Sequence, residues 1–324
     1  MSGPQKNASP ILVYTAFATV YIVWGSTYFF IQKALNGFPP FLLGTFRFIL
    51  AGLLLMGWCK LKGENIFDTK SIKTAVVSGL LMLGIGNGIV IWVEQVIPSG
   101  LVAIMVASAA IWFVILDKPK WKENLQSKST VAGLIIGFIG VVFLFGEQLL
   151  HALNTTQSTV QIVGMCLLVI GPIGWAGGSL YSKYHADNKI SVSAGTAWQM
   201  LAAGIAFIPG SLLNSEYQHF QWTQVPLDAW LSIIYLILFG SIAAFSAYVW
   251  LLTVRPATQV STYAYVNPVV AVILSLLFTS ERISLIQFFG LLIILGSVLL
   301  INLAKYRQHT RSGALTPSNK KAVV

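Results

Sequence analysis

Few side chains of this sequence could do chemistry, and those few lie inside long apolar stretches. Asn87 is surrounded by Gly84, Gly86 and Gly88, and Glu94 follows about two helical turns later on the same face. A buried amide can hydrogen-bond a ligand, and a buried carboxyl can bind a cation or take up a proton. The alternative is tight helix packing at the glycines, with Glu94 a solvated carboxylate near the end of its helix.

Arg47 is the one basic residue placed well inside an apolar stretch. It lies roughly 10 Å from the outer end of its helix, at about 1.5 Å per residue. Its guanidinium could form an ion pair with Glu94 or bind an anion. The ion pair is favoured over anion binding. In an internal repeat described below, the position equivalent to Arg47 is Gln199, so the second half does without a cationic group there.

Aromatic side chains recur at helical spacing in the first apolar run. Trp24 and Tyr28 share one stripe with Tyr21, Gly25 and Gln32. The stripe predicts either the aromatic wall of a pocket, with Gly25 letting a neighbour or a ligand approach the backbone, or helix packing near a membrane interface.

Two further runs combine polar or aromatic residues with helix-breaking ones. Trp175 follows a Gly- and Pro-containing break at 171–174, and Tyr263 and Asn267 precede Pro268. Interrupted helices of this kind point to a solute site, although a packing kink without a ligand is the alternative. The candidate substrate-binding residues are Trp24, Tyr28, Asn87, Trp175, Tyr263 and Asn267, and the candidates for coupling or charge selection are Glu94 and Arg47.

The elements that must position these residues are membrane helices. Hydrophobic residues make up 56% of the chain, charged residues only 9%, and the mean hydropathy is +0.76, which excludes a water-soluble fold. A span needs about 20 apolar residues. The sequence predicts ten spans, at 11–31, 41–58, 74–93, 100–116, 130–146, 160–181, 194–213, 229–252, 260–278 and 283–303.

The basic residues predict the orientation of these spans. If alternate loops face opposite sides, seventeen of the twenty Lys and Arg residues fall on one side, only Lys33 and Arg282 on the other, and Arg47 within a span. Positive charge is retained on the cytoplasmic side, so both termini are expected there. The same bias accounts for the net charge of +10, and no nucleic-acid partner is expected.

An internal repeat divides the chain into two halves. FRFILAG at 46–52 recurs as WQMLAAG at 198–204, and the Trp-to-Pro spacing at 92–98 recurs at 250–256. Five helices per half is an odd number, so the second half must enter the membrane inverted, an arrangement common in transporters. The predicted parts are a tail at 1–10, repeats at 11–146 and 160–303, an extracytoplasmic loop at 147–159, and a basic tail at 304–324.

No enzymatic motif accompanies these features. The sequence has no HExxH or GxSxG, no nucleotide-binding loop, and no cluster with metal-ligand spacing. We therefore expect no enzyme, no metal and no other cofactor.

Four segments carry a family resemblance by their order and spacing: WGSTYFFIQKAL, PPFLLGTFRFILAG, WVEQVIPSGLVAI and AYVNPVVAVILSLLFTSERIS. From about Tyr21 to Leu303 the chain resembles the drug/metabolite transporter superfamily, specifically its EamA-type ten-helix group. The resemblance implies an all-α integral membrane protein with ten transmembrane helices in a 5+5 inverted-topology repeat. It also implies a central cavity lined mainly by helices one, three, four, six, eight and nine. One departure is Ala-Ser-Ala-Ala at 107–110, where the family often has a proline.

The function implied is secondary transport, as an exporter of a small metabolite, amino acid or drug-like solute that works by alternating access in the cell (inner) membrane. The partners are then a small-molecule solute and the lipid bilayer, with protons as candidate coupling ions. The alternative is a non-transporting sensor or partner subunit with a vestigial cavity, which would bind without flux. No oligomeric state follows from the sequence.

Overall fold

A computed structural model describes most of the chain. It covers residues 8–97, 105–144, 158–187, 189–278 and 284–314, with the isolated positions 102, 146, 150 and 154. Side chains are described for these residues except at 144, 271–272, 274–278, 287, 291 and 302–314. Most of the predicted connecting loop, the end of the predicted basic tail at 315–324, and Lys6, Arg282, Lys320 and Lys321 of the charge pattern lie outside the described residues.

Within the described residues every regular element is a helix. Each of the ten principal helices found there overlaps one of the ten predicted apolar runs. They are α1 (Pro10–Leu35), α2 (Pro40–Leu61), α3 (Thr69–Val93), α4 (Ala109–Leu116), α5 (Lys128–Leu144), α6 (Thr159–His185), α7 (Val192–Leu213), α8 (Leu227–Val254), α9 (Tyr263–Phe278) and α10 (Leu285–Ala314).

Six of these helices, α1, α2, α3, α6, α7 and α8, are long and apolar enough to cross a membrane. A seventh span results if α5 is joined to the helical segment Lys118–Gln126, which meets it at a bend of 92°. Shorter apolar helices occur at Met105–Leu116 and Phe288–Ile301. The described residues thus form an all-helical protein with several apolar spans.

Polar side chains fix the points at which three of the helices begin. Asp68 accepts a hydrogen bond from the Ser71 backbone N–H at 2.9 Å and starts α3. Ser158 and Gln161 form a reciprocal capping box at the start of α6, and Ser191 caps α7. The first N–H groups of a helix have no partner within it, so these caps stop the chain from fraying.

Two helices contain a π-helical stretch that the sequence analysis did not predict. The stretches are Leu80–Asn87 in α3 and Leu236–Phe245 in α8. A π-helical turn is wider than an α-helical one and shifts the side chains around the axis, and such turns are frequent at functional sites. Both stretches contribute to the cavity described below.

The helices pack in a pattern that repeats with a shift of five. Helix α2 packs against α7 and α5 against α10, while α1 contacts α8 and α9 and α6 contacts α3 and α4. The contact of α1 with α9 is close at Gly25, where a Cβ atom would lie 2.5 Å from Val270 Cβ and 3.0 Å from the Asn267 carbonyl oxygen. Gly25 therefore admits a neighbouring helix rather than a ligand.

Candidate functional site

A cavity in the middle of the helix bundle brings together most of the predicted site residues. We call it the central cavity, and it offers about 70 Å³ to the centres of water molecules, enough for a few waters. Seven of the eight predicted residues line it: Trp24, Tyr28, Arg47, Asn87, Trp175, Tyr263 and Asn267. Its wall includes all the helices that the family resemblance implied, from α1 to α9, and α2 adds Arg47 and Phe48.

Trp24 lies at the centre of the aromatic wall. Its ring centroid is 5.3 Å from that of Trp175 and 5.0 Å from that of Tyr263, both in edge-on geometry. The Trp24 indole N–H donates to the Gly240 carbonyl at 3.0 Å. The hydrogen bond and the edge-on contacts fix the ring, so the wall is a preorganised apolar surface.

Tyr248 and Ser179 close one end of the central cavity. The Trp175 indole N–H donates to the Tyr248 hydroxyl at 3.0 Å, and that hydroxyl is 2.6 Å from Ser179 Oγ. Tyr248 is fully buried. This layer connects α6 to α8 through hydrogen bonds rather than through apolar contacts alone.

A second cavity lies beyond this layer, between α3, α6, α7 and α8. It offers about 290 Å³ to water centres and is more polar than the first. Its lining includes Ser182, Lys183, Asp187, Gln199, Val249 and Trp250. Along α6 the wall passes from Trp175 in the central cavity through Ser179 to Ser182 in the second one, so a single layer separates the two.

Arg47 is oriented by α8 and not by Glu94. Its Nε donates to Ser241 Oγ at 2.9 Å, and its guanidinium carbon is 4.9 Å from the Phe48 ring centroid. The ion pairs found among the described residues are Lys120–Glu123 and Lys189–Asp68. The expected Arg47–Glu94 pair is therefore not formed, because the Arg47 side chain is held by a serine that the sequence analysis did not consider.

Glu94 is buried just past the end of α3, with 6% of its surface exposed. Both carboxyl oxygens lack a hydrogen-bond partner, and the group interacts electrostatically with Arg47 and Tyr28. It is not part of the lining of the central cavity. The structure excludes the alternative of a solvated carboxylate at this position and leaves a buried acid behind the cavity wall.

Three polar atoms of the central cavity have no hydrogen-bond partner. They are Arg47 Nη1, Asn87 Oδ1 and Asn267 Oδ1, all buried. Buried polar groups are normally paired, since an unpaired one loses the hydrogen bonds that water would supply. The indole N–H groups of Trp24 and Trp175 are already used, whereas these three atoms have hydrogen-bonding capacity that the described residues do not satisfy.

The family resemblance implied that α8 lines the cavity, but no individual residue of this helix was predicted as a site residue. Gly240, Ser241 and Phe245 line the central cavity, and all three lie on the π-helical stretch of that helix. The signal was present as a Gly-Ser pair that interrupts an apolar run.

Among the described residues no group of His, Cys, Asp and Glu has the arrangement of a metal site.

Comparison with known proteins adds to this geometry. The sequence profile of the EamA-like transporter family matches residues 11–146 and again residues 162–303. The chain is 35% identical to the "Uncharacterized inner membrane transporter YedA" of Escherichia coli (strain K12), over 91% of this chain and 92% of that one. It is 24% identical to the "Probable amino-acid metabolite efflux pump" of the same strain, over 85% of this chain and 90% of that one. A crystal structure matches with a TM-score of 0.69 at 16% identity, over 92% of this chain and 98% of that one, which is a likeness of fold.

Proposed function

The chain belongs to the EamA-like transporter family, and from this premise we propose that it is a secondary transporter that exports a small organic solute by alternating access. The observation that carries the proposal is the central cavity itself. It is buried and has fixed aromatic walls and three unpaired polar atoms. A binding site for a solute requires this combination of a preorganised apolar surface and a few well-placed polar groups.

The architecture we propose is ten membrane crossings in two inverted five-helix repeats, at 11–146 and 160–303. Two matches to one family profile, at 11–146 and 162–303, support two related halves. The packing pattern supports them as well, since α1 contacts α8 and α9 while α6, five helices later, contacts α3 and α4. The π-helical stretches occur in α3 and α8, which are equivalent helices of this scheme.

Alternating access follows from two such halves and two cavities. Rocking one half against the other can open the layer of Tyr248 and Ser179, because its hydrogen bonds join α6 to α8 within one half and its aromatic contacts reach Trp24 of the other. The central cavity would then connect with the second one. The hydrogen bonds of Tyr248 and Ser179 can re-form after each transport cycle.

The proposed solute contacts divide into walls and polar anchors. Trp24, Tyr28, Trp175 and Tyr263 provide apolar walls, and Asn87 and Asn267 provide hydrogen-bonding groups. Arg47 would select the charge of the solute, because its guanidinium lines the central cavity and its Nη1 donor has no hydrogen-bond partner. The solute class remains a small metabolite, amino acid or drug-like compound, and the named efflux relative supports that range.

Glu94 is the proposed proton-coupling residue. Its carboxyl is buried without a hydrogen-bond partner and can exchange a proton between its neutral and ionised forms, and Arg47 is the cationic group near it. A charged solute bound at Arg47 would change the electrostatic potential at the Glu94 carboxyl. It would thereby shift the balance between the two forms of that carboxyl. Proton release and solute binding would then be linked.

Flux measurements in proteoliposomes test the proposal. Purified protein is reconstituted and a panel of labelled amino acids, metabolites and cationic drugs is measured with and without an imposed pH gradient. We expect gradient-driven flux of at least one solute, and loss of the gradient dependence in Glu94→Gln. Glu123→Gln, which removes a carboxylate from an exposed ion pair, is the matched control and should behave as the unmodified protein.

Each outcome of this experiment has a definite meaning. Flux without gradient dependence would show a facilitator and overturn the coupling role of Glu94. Binding without any flux would favour a sensor or a partner subunit over a transporter.

The location we propose is the inner membrane, as a multi-pass protein with both termini in the cytoplasm, in line with the named location of the relative YedA.

A further inference from the structure

A short helix between α4 and α5 runs across the bundle instead of along it. We call residues 118–126, a 3₁₀ turn followed by a short α-helix, the interfacial helix. It meets α5 at a bend of 92°. Because α5 is one of the proposed membrane crossings, the interfacial helix lies roughly parallel to the membrane plane.

Four lysines place this helix at the membrane surface rather than in the lipid core. They are Lys118, Lys120 and Lys122 in the helix and Lys128 at the start of α5, and all four residues are exposed. An ammonium group in hydrocarbon is strongly unfavourable, whereas at the surface it stays hydrated. The segment therefore does not enter the hydrocarbon as a re-entrant loop.

Two hydrogen bonds attach the interfacial helix to the bundle. The Trp121 indole N–H donates to the Ile115 carbonyl, near the end of α4, at 3.0 Å. Asn124 is buried, and its Oδ1 atom accepts from the Thr258 hydroxyl, in the connection between α8 and α9, at 3.3 Å. The helix is thus a fixed part of the fold, and its outward face is defined by these contacts.

That outward face has an apolar strip beside a basic one. Trp121 and Leu125 are four residues apart and share the apolar strip, with 41% and 54% of their surfaces exposed. Lys122 follows Trp121 and lies about 100° further around the axis. Helices that lie in the membrane interface have this division, and tryptophan is enriched there.

The positive charge of the segment is only partly balanced. Lys120 is paired with Glu123 at 2.9 Å. Lys118, Lys122 and Lys128 form none of the ion pairs found among the described residues. Their ammonium groups are therefore available to an anion at the membrane surface, and phosphate oxygens accept strong, charge-assisted hydrogen bonds from lysine.

We infer that the interfacial helix is a binding site for an anionic phospholipid. The lipid phosphate is held by Lys118 and Lys122, whose backbones are roughly 6–8 Å apart along the helix, with Lys128 adding charge at the same surface. An acyl chain lies against Trp121 and Leu125. The inference requires that the chain lies in a membrane but not that it transports a solute.

Native mass spectrometry of the full-length protein in detergent tests the inference, because it counts bound lipids and gives their Kd. The probes are dioleoylphosphatidylglycerol and dioleoylphosphatidylcholine, which share their acyl chains and differ in net charge. We expect one site with a Kd at least about tenfold lower for phosphatidylglycerol. The preference should shrink as the ionic strength is raised.

Variants at the basic strip should remove this preference. Lys118→Gln, Lys122→Gln and Lys128→Gln together should weaken the Kd for phosphatidylglycerol at least tenfold, since each lysine near an anionic lipid surface contributes about fivefold. Leu125→Gln keeps every charge and removes an exposed apolar contact. It should weaken the binding of both lipids and leave their ratio unchanged.

A matched control separates this site from the total charge of the protein. The connection between α2 and α3 also contains four lysines and two acids, but no helix that lies in the membrane plane. Lys60→Gln, Lys70→Gln and Lys73→Gln together remove the same three charges at exposed positions. This variant should keep the Kd for phosphatidylglycerol within about twofold.

Four results would overturn the inference. They are equal binding of the two lipids, no effect of the three substitutions at the basic strip, an equal effect of the three control substitutions, or binding of a polyglutamate peptide in place of phosphatidylglycerol. The last would assign the basic strip to an acidic protein partner. Flux measurements do not bear on this site, so failure of the transport proposal and failure of this one are distinguishable.

Discussion

At the scale of single residues, the structure assigns a role to Glu216 that its surroundings in the sequence do not indicate. Helix α2 begins at Pro40 without a side-chain cap of its own. The Glu216 carboxylate, from the loop after α7, accepts from the Phe41 N–H at 3.3 Å and from the Leu42 N–H at 2.8 Å. An acid at a helix N-terminus also interacts favourably with the helix dipole. A residue that follows α7 thus caps the start of α2.

Removing this cap should destabilise the protein measurably. Glu216→Ala should lower the free energy of unfolding by about 1–3 kcal/mol, because a buried and a partly buried N–H group lose a charged acceptor. Glu216→Gln, which keeps one acceptor oxygen, should lose less. The measurement is the midpoint of thermal unfolding in detergent. Glu123→Ala is the control, since it removes only an exposed ion pair. Equal midpoints for Glu216→Ala and the unmodified protein would contradict the capping role.

Site residues could be predicted from the sequence where helical spacing alone determines which side chains share a face. Trp24, Tyr28, Tyr263 and Asn267 lie at helical spacings of four, and a helix places residues four apart on one face whatever it packs against. The Arg47 partner was not predictable, because Ser241 lies nearly two hundred residues away in the chain. The choice between Glu94 and Ser241 depends on how two halves dock, which local spacing does not specify.

At the scale of helices, α3 and α7 approach each other at Gly79. A Cβ atom on Gly79 would lie 2.4 Å from the Gln199 carbonyl oxygen and 2.6 Å from Gln199 Cα. These are backbone atoms, so the neighbour cannot rotate away as a side chain could. The same contact holds Gln199 beside Ser78, and the wall of the second cavity therefore depends on a glycine at 79.

Gly79→Ala should force α3 and α7 apart. We expect a loss of about 1–3 kcal/mol in the free energy of unfolding, typical of overpacking. Gly57→Ala in α2 is the matched control: nothing lies within 4 Å of its Cβ position, so the change should be neutral or stabilising, because alanine favours helix by up to about 1 kcal/mol. Thermal unfolding of both variants in detergent is the measurement. A Gly79→Ala midpoint at or above that of Gly57→Ala would show that the helices separate without cost.

The positions of the helices could be predicted, but not their irregularities. Apolar run length gave segments that overlap all ten principal helices of the described chain, since a helix that spans lipid must be continuously apolar. The π-helical stretches at Leu80–Asn87 and Leu236–Phe245 were not foreseen. Their sequences are at least as apolar as the rest of each helix, so the length of an apolar run does not distinguish a π-helical stretch from an α-helical one.

At the scale of the whole molecule, the repeat has a consequence for how the chain is threaded. Helices five apart in the chain make corresponding contacts, as α1 with α8 and α9 and α6 with α3 and α4 show. Such a pseudo-two-fold arrangement in a membrane requires the halves to have opposite topology if each contains an odd number of crossings. The distribution of Lys and Arg predicts separately an even number of crossings, with both termini in the cytoplasm.

Two single cysteines test this threading and the number of crossings together. In a background of Cys59→Ala and Cys166→Ser, which removes both native cysteines, Lys122→Cys lies between α4 and α5 and Gln224→Cys lies between α7 and α8. Three proposed crossings, α5, α6 and α7, separate them, so they should face opposite sides. A membrane-impermeant maleimide on intact cells should label Gln224→Cys and reach Lys122→Cys only after permeabilisation. The reverse pattern would invert the orientation that the basic loops predict. Labelling of both from outside would instead mean an even number of crossings between them, and the five-plus-five repeat could not then be inverted in the proposed way.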